Sequence, residues 1–316
     1  MNQEPAATFD LRPLNIGEIL DRSVTLYVRN FAPLTLIMLL VLIPSSIARY
    51  YAMQGFVTPY SQLLQQISGG ASGHPASPAK INKLLAQIPA LGPATLAGIV
   101  LGLFVVPFAN VAIALGVAMV YNNQRVNVRL ALLGALRRWP AVLLMVVFEV
   151  LAILIWFVAG TLLFGILAVL AVVAAKVLPL AGIIGGVLLF LAFLIWMFMF
   201  IPLVLAILCG YCAIGIERAS ASQAFAEGLA GTYNRSAFKR TLLVSVALLA
   251  IEVGSFIPLA VGQAIAIALR SALLDAILTT LFSMVSAAFL AVVVAVYYYD
   301  VRVRLEVPDP RIAASA

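Results

Sequence analysis

Long uncharged apolar stretches alternate along this chain with short segments that hold most of the charge. Read between charges, the apolar runs cover residues 31–48, 91–121, 141–175, 177–216, 241–269 and 276–299. Glu149 is the only charge inside the third run, and Glu252 the only one inside the fifth. A helix needs about 20 apolar residues to cross a bilayer. The pattern therefore predicts six spans. The second to fifth runs are longer than needed, so they tilt, kink or project beyond the lipid. Pro107 and Pro202 fall inside the second and fourth. Proline removes a helix bond and clashes with the preceding turn, which predicts kinks there. Runs this long and continuous exclude an outer-membrane barrel, whose strands alternate over about 10 residues.

Three segments before spans show a helical period instead of a continuous run. In the first, Ile16, Ile19, Leu20, Val24 and Tyr27 recur at helical spacing, with Glu18, Asp21, Arg22, Thr25 and Arg29 on the other face. The second runs from Asn127 to Trp139 and sets Leu132, Leu133 and Leu136 against Arg129, Arg137 and Arg138. The third runs from Ser222 to Phe238, with Phe225, Leu229 and Tyr233 opposite Gln223 and Glu227. Phe31, Trp139 and Phe238, which come directly after these segments, lie 108 and 99 residues apart. The expected unit is an interfacial amphipathic helix followed by a two-span hairpin, used three times. Pro107 and Pro202 share one phase of that unit, in the second span of units one and two. A membrane surface also selects basic amphipathic helices without any repeat. Basic residues on such helices gain about 1 kcal/mol each near anionic lipid.

Charge assigns an orientation. Segments 1–30, 122–139, 217–240 and 300–316 hold 14 of the 19 basic residues, and the other side holds Arg49, Lys80, Lys83, Lys176 and Arg270. By the positive-inside rule both termini are cytoplasmic. The net charge of +7 then belongs to cytoplasmic loops, and no nucleic-acid partner is expected. Hydrophobic residues make up 64% of the 316 and charged ones 10%, too apolar for a soluble fold. The first 30 residues carry Glu4, Asp10, Glu18 and Asp21 and no early apolar core, so no cleavable signal peptide is expected.

Residues 54–90 form the only long outer loop. Its middle, Ser68 to Pro78, is rich in Gly, Ser and Pro and is expected to be flexible, with a short helix on either side of the loop. Gly70-Ala71-Ser72-Gly73 fits the short motif around a rhomboid-protease serine. It lies in a polar loop, and no span carries a histidine base, so it reads as plain linker.

The two ends carry motifs. Leu11-Arg12-Pro13-Leu14-Asn15-Ile16-Gly17-Glu18-Ile19-Leu20-Asp21-Arg22 is followed by Leu26-Tyr27 and Arg29-Asn30-Phe31. The chain closes on Tyr298-Tyr299-Asp300-Val301-Arg302-Val303-Arg304-Leu305-Glu306, then Asp309. Both resemble bacterial proteins with the glycerophosphoryl diester phosphodiesterase membrane domain. The motifs cover about 35 residues, and the span pattern agrees across the remainder. That family commonly has Glu-Gly after the paired arginines, whereas Val307-Pro308 comes after Glu306 here. The resemblance implies a stand-alone integral membrane protein of the bacterial cytoplasmic membrane. It does not imply the activity in the name, because only 16 residues lie beyond Asp300, far too few for a catalytic barrel of about 250 residues.

Few residues carry candidate chemistry. Glu149 and Glu252 sit about 15 and 18 Å from the cytoplasmic surface at 1.5 Å per residue, near the bilayer midplane. An intramembrane carboxyl is either a helix-packing lock or part of an ion or substrate path. Both are expected to face the bundle interior, with Asn110 and Gln263 as polar neighbours. Cys209 and Cys212 form a C-x-x-C on one helix face and, with Gly210 and Gly215, read as small residues at a helix contact. Tyr297, Tyr298 and Tyr299 read as an aromatic belt at the inner surface. Arg302 and Arg304 are candidate contacts for lipid head groups or a partner, or caps of the last helix. The single histidine, His74, leaves little for metal chemistry. No P-loop, H-E-x-x-H or dinucleotide fingerprint is present, and no cofactor is expected.

The expected architecture is an all-α polytopic membrane protein. Residues 1–316 form a single transmembrane domain, with six transmembrane helices in three hairpin repeats. Each repeat is preceded by a cytoplasmic interfacial amphipathic helix. The chain has a cytoplasmic segment 1–30, an external loop 54–90 and a cytoplasmic tail 300–316. The expected role is non-enzymatic: a membrane scaffold or partner subunit that interacts with membrane lipids and with another membrane or cytoplasmic protein. The alternative is a small transporter or channel using Glu149 and Glu252.

Overall fold

The computed structural model describes residues 12–67, 93–177, 179–234 and 237–306. Among them are nine helices and no strand: α1 (Ile16–Arg29), α2 (Phe31–Ile67), α3 (Pro93–Tyr121), α4 (Val128–Arg137), α5 (Trp139–Val177), α6 (Pro179–Glu217), α7 (Ala221–Tyr233), α8 (Phe238–Ala268) and α9 (Ala272–Glu306). Six of them, α2, α3, α5, α6, α8 and α9, are long and apolar enough to cross a membrane. The order short, long, long occurs three times. The first long helix of each trio opens on Phe31, Trp139 or Phe238.

Capping explains where the short helices begin. The first N–H groups of a helix lack intrahelical partners, and a preceding polar side chain satisfies them. Asn15 Oδ1 accepts the Glu18 N–H at 2.8 Å, and Glu18 Oε2 accepts the Asn15 N–H at 2.8 Å. The Asn15 N–H and the Arg12 guanidinium hold the Glu18 carboxyl below the usual carboxylate range. Asn127 caps α4 through the Leu130 N–H, and Ser220 caps α7 in a reciprocal pair with Gln223. The turns into α4 and α7 use left-handed residues, Asn123 at φ 56° and Arg218 at φ 59°. Asparagine tolerates that region and arginine does so less readily.

The long helices pack in sequence pairs, α2 on α3, α5 on α6 and α8 on α9. The second members, α3, α6 and α9, also touch one another and form the centre. Each short helix rests on the last helix of the trio before it: α4 on α3 and α7 on α6. α1 has no trio before it and rests on α9, the last helix of the chain. The centre is built from small or branched apolar residues. These include Ala109, Ala112 and Ala114 on α3, Ile207, Cys209 and Ala213 on α6, and Ala288, Val292 and Ala295 on α9. Small residues let helix backbones approach closely in lipid. A Cβ on Gly215 would meet the Val111 carbonyl oxygen at 3.1 Å, and one on Gly228 would meet the Ala206 carbonyl oxygen at 2.2 Å. Cys209 and Cys212 are buried free thiols in this contact.

The structure corrects several expectations. The first candidate span ends at Gln54, and α2 continues beyond it as helix to Ile67, so the first part of the expected loop 54–90 is helical and continuous with the span. The Gly-rich middle of that loop, residues 68–78, lies outside the described residues, as does the tail beyond residue 306. α1 buries Ile19 and Tyr27 of its predicted apolar face, whereas α4 and α7 bury mainly alanine and glycine. α4 buries Ala131 and Ala135 while Leu130, Leu133 and Leu136 are exposed. α7 buries Ala221, Ala224, Gly228, Gly231 and Thr232. α1 buries Ser23 and Leu26 and exposes Val24; Ser23 Oγ is satisfied by donating to the Ile19 carbonyl at 2.6 Å. The reason is common to α4 and α7. Against a helical neighbour, small residues allow close approach, and in lipid the large apolar ones lose nothing by facing outward.

The α5–α6 hairpin departs most from the rest. Its burial is confined to the ends near α4 and α7; from Val147 to Phe200 only Gly160 is buried among the described residues. Within it Trp156 stacks on Trp196 with ring centroids 5.4 Å apart, flanked by Phe157, Phe164 and Phe193. Gly160 leaves the room for the Trp196 ring, since a Cβ there would meet it at 2.1 Å.

Gly228→Ala is expected to destabilise the purified protein by about 1–3 kcal/mol, because the added methyl strikes backbone and not a movable side chain. Gly254→Ala, with nothing within 4 Å of its Cβ, is expected to be neutral or stabilising by up to about 1 kcal/mol. Thermal unfolding of the two variants in one detergent separates them.

Candidate functional site

The densest polar construction joins the two ends of the described chain. Asp300, in the last turns of α9, is 1% exposed. Its Oδ1 accepts the backbone N–H of Leu14 at 2.6 Å. Its Oδ2 pairs with Arg240 Nη2 at 2.8 Å and with Arg304 Nε at 3.1 Å. The Leu14 carbonyl in turn accepts from Arg304 Nη2 at 2.8 Å and from Arg240 Nη2. Leu14 itself is buried. One carboxylate and the backbone N–H and C=O of one residue are thus closed into a ring by two guanidinium groups. A buried carboxylate is tolerable only with such partners, since its desolvation otherwise costs several kcal/mol.

Helical geometry distributes the three tyrosines before it. Successive residues point about 100° apart. Tyr297 bonds Thr241 on α8, O to O at 2.8 Å. Tyr298 donates to Glu217 on α6 at 2.5 Å, and Arg302 pairs with the same carboxylate. Tyr299 stacks on Tyr121 of α3 with ring centroids 4.3 Å apart. Three consecutive side chains therefore tie α9 to three different helices. Tyr297 and Tyr298 are buried, so the expected aromatic belt is instead part of the core. At the far end of α9, Asp275 is fully buried and pairs with Arg49 of α2 at 2.9 Å.

Two cavities flank the last turns of α9. One, of about 400 Å³, is lined by Pro13, Asn234, Arg240, Tyr297, Asp300 and Arg304, among others. The other, about 70 Å³, lies toward Cys209, Glu227, Tyr298 and Arg302. A third space, about 460 Å³, is an apolar groove between α2, α3 and α4, walled by Leu40, Phe104, Phe108 and Leu136. None of the three is lined by Glu149, Glu252, Asn110 or Gln263.

The intramembrane candidates separate. Glu149 is half-buried and accepts the Tyr211 hydroxyl at 2.5 Å, a lock between α5 and α6. Glu252 is exposed on the outside of α8, and among the described residues its carboxylate makes no hydrogen bond. The contact stripe of α8 passes through half-buried Ile251 and Ser255, which leaves Glu252 beside it. Glu252 therefore does not face the bundle interior. Asn110 is half-buried and does not bond Glu149, and Gln263 bonds Thr279 of α9 at 3.4 Å. Tyr211 thus takes the place of the expected polar neighbours at Glu149, and Glu252 has none of them. Arg302 pairs with Glu217 and Arg304 with Asp300, and both side chains stay partly exposed.

Pattern analysis missed Arg240, Leu14, Glu217, Tyr211 and the Arg49–Asp275 pair. Charge balance at span ends was the available signal. Asp275 and Asp300 bracket α9, and Arg49 and Arg240 lie at matching depths on other spans.

Glu149→Gln retains an acceptor for Tyr211 and is expected to change stability by less than about 1 kcal/mol. Glu149→Leu orphans the Tyr211 hydroxyl and is expected to cost about 1–3 kcal/mol. Glu252→Leu, with no partner to lose, is expected to be neutral or stabilising in lipid. Unfolding in nanodiscs reads all three. No family model, no curated protein and no solved structure matches this chain.

Proposed function

We propose that the protein is a non-enzymatic scaffold or partner subunit of the bacterial cytoplasmic membrane, with both termini cytoplasmic and lipids among its partners. In this reading it is a stand-alone member of the glycerophosphoryl diester phosphodiesterase membrane-domain family. Its three trios of helices are three copies of one unit, an interfacial amphipathic helix and a hairpin. The order short, long, long and the aromatic start of each first span support the repeat. The matched seating of α4 on α3, α7 on α6 and α1 on α9 supports it further. The leucines of α4 that face outward, with Arg137 and Arg138 beside them, support an interfacial position.

One observation carries the partner role. The apolar spans of α5 and α6 run 38 and 36 residues. At 1.5 Å per residue each is about 55 Å long, against about 30 Å of hydrocarbon. Their far halves pack on each other and expose leucine, isoleucine, valine and phenylalanine all round. Apolar surface on that scale needs cover from lipid or protein. The polar groups that a transporter would use are instead engaged in locks between helices, Glu149 with Tyr211 and Asp275 with Arg49.

Pull-down from native membranes, with mass spectrometry of proteins and lipids, is expected to recover a protein partner. A variant in which a short Gly-Ser turn replaces residues 161–192 is expected to keep the fold and lose that partner. Retention of the partner contradicts the role of the hairpin. A proton or cation flux in proteoliposomes that Glu149→Gln abolishes favours the transporter instead. Reporter fusions after residues 28, 130, 230 and 310 are expected to read cytoplasmic, and a fusion near residue 72 external. An external C-terminus overturns the six-span orientation.

A further inference from the structure

We propose that the 400 Å³ cavity beside Asp300 is a phosphate-binding site formed by Arg240 and Arg304. The proposal deepens the lipid-interacting part of the function above and rests on that reading for its location at the membrane surface. The ligand is a phosphate group, carried by a phospholipid head group or free in solution.

Charge comes first. Two guanidinium groups line the cavity against a single carboxylate, and that carboxylate is 1% exposed and saturated by Leu14, Arg240 and Arg304. The accessible part of the cluster is therefore cationic. Donor capacity comes second. A guanidinium has five N–H donors in a planar fork. Arg240 uses Nη2 on Leu14 and Asp300, and its buried Nε has no hydrogen-bond partner. Arg304 uses Nε and Nη2. Among the described residues Nη1 of each arginine makes no hydrogen bond, so both forks keep donors for an acceptor brought into the cavity.

The acceptor that fits is an anion with several oxygens. Arginine forks match phosphate in two-point contacts, and the contact is stronger than a neutral hydrogen bond. Position selects phosphate over other anions. Arg240 lies two residues inside the start of the α8 span, and Arg304 lies at the end of the α9 span. Spans end at the level of phospholipid head groups. Pro13, Val301 and Leu305 give the cavity an apolar wall for the glycerol side of such a head group.

The Asp300 ring orients both arginines before any ligand arrives. Its two-point grip on Arg304 and the peptide oxygen of Leu14 restrict the long side chains. Binding then loses little side-chain entropy, which is the advantage of a preorganised site. Lys239 is exposed and next in sequence, but it does not line the cavity. It serves as the control for attraction by surface charge alone.

The full chain in a neutral detergent is titrated with short-chain phosphatidylglycerol and, separately, with inorganic phosphate. Bound ligand is counted by native mass spectrometry. The wild-type protein is expected to bind one phosphate-bearing ligand saturably. Arg304→Gln is expected to weaken binding about tenfold or more, by loss of charge-assisted bonds. Ala237→Phe, which fills the cavity and leaves both arginines in place, is expected to abolish it. Lys239→Gln is expected to stay within about twofold of wild type. Thermal unfolding of each variant shows whether it is folded; should Ala237→Phe fail to fold, Arg304→Gln alone decides. Binding of the lipid alone identifies a head-group site, and equal binding of inorganic phosphate identifies a site for soluble phosphate. Absence of saturable binding of either ligand overturns the proposal, as does binding that Arg304→Gln leaves unchanged. Absence of any protein partner in the pull-down of the wild-type chain, with phosphate binding intact, sinks the scaffold reading alone, and a recovered partner without phosphate binding sinks this site alone.

Discussion

A carboxylate taken out of water holds this fold together at one end. Asp300 cannot be buried alone, because the desolvation of an ion costs several kcal/mol. It is buried here because a backbone N–H and two guanidinium groups converge on it. Those partners come from the segment before α1, from α8 and from α9. The ring therefore fixes three elements at once, and it ties the segment before α1 to a hairpin more than 200 residues away in sequence. Leu14 is 286 residues from Asp300 in sequence and joined to it by a 2.6 Å bond. With Leu14 anchored, Asn15 is placed to cap α1, and α1 lies against α9. The first short helix thus acquires the seat that α4 and α7 obtain from the helix just before them in the chain.

The membrane sets a second constraint, and it acts differently along the molecule. In lipid an apolar side chain gains little by turning inward, so helix contacts depend on close backbone approach and on polar locks. The structure uses both. Gly210, Gly215 and Gly228 bring α6 to within backbone contact of its neighbours. Tyr297, Tyr298 and Tyr299 fasten α9 to α8, α6 and α3. The far halves of α5 and α6 use these devices only on each other, through their aromatic stack and the close approach of Gly182 and Gly185 to Ala175 and Ala171. They stand outside the bundle for that reason, and a binding role for them arises from the same physics as the packing of the rest.

The same distinction decides how much of the molecule was legible in the sequence. The six long helices were legible, because continuous apolar length is itself the signal. So were the starts of α2, α5 and α8, where Phe31, Trp139 and Phe238 mark the entry to the apolar run. Inward faces were not legible. Inside a span every face is apolar, so a 3.6-residue period has nothing to report. Glu252 was expected inside for its cost, yet it lies one residue off the contact stripe of α8. The apolar period of α4 marks its leucines, while the residues it packs on the bundle are Ala131 and Ala135. The motifs at both ends of the chain stood out, but their meeting did not. A pattern shows which residues are unusual, and only the closed arrangement of α1, α8 and α9 shows that Leu14, Arg240 and Asp300 belong to one ring.

Hydrogen exchange of the segment from Arg12 to Arg29 tests that dependence most directly. In the wild-type protein the Leu14 amide and the α1 amides are expected to exchange slowly, protected by the ring and by the seat on α9. In Asp300→Ala the exchange of this segment is expected to rise at least about tenfold, equivalent to about 1.4 kcal/mol. The buried turns of α3 and α6 are expected to keep their protection. Equal protection of α1 with and without the Asp300 carboxylate would contradict the account, since the end of the bundle would then be held by packing alone.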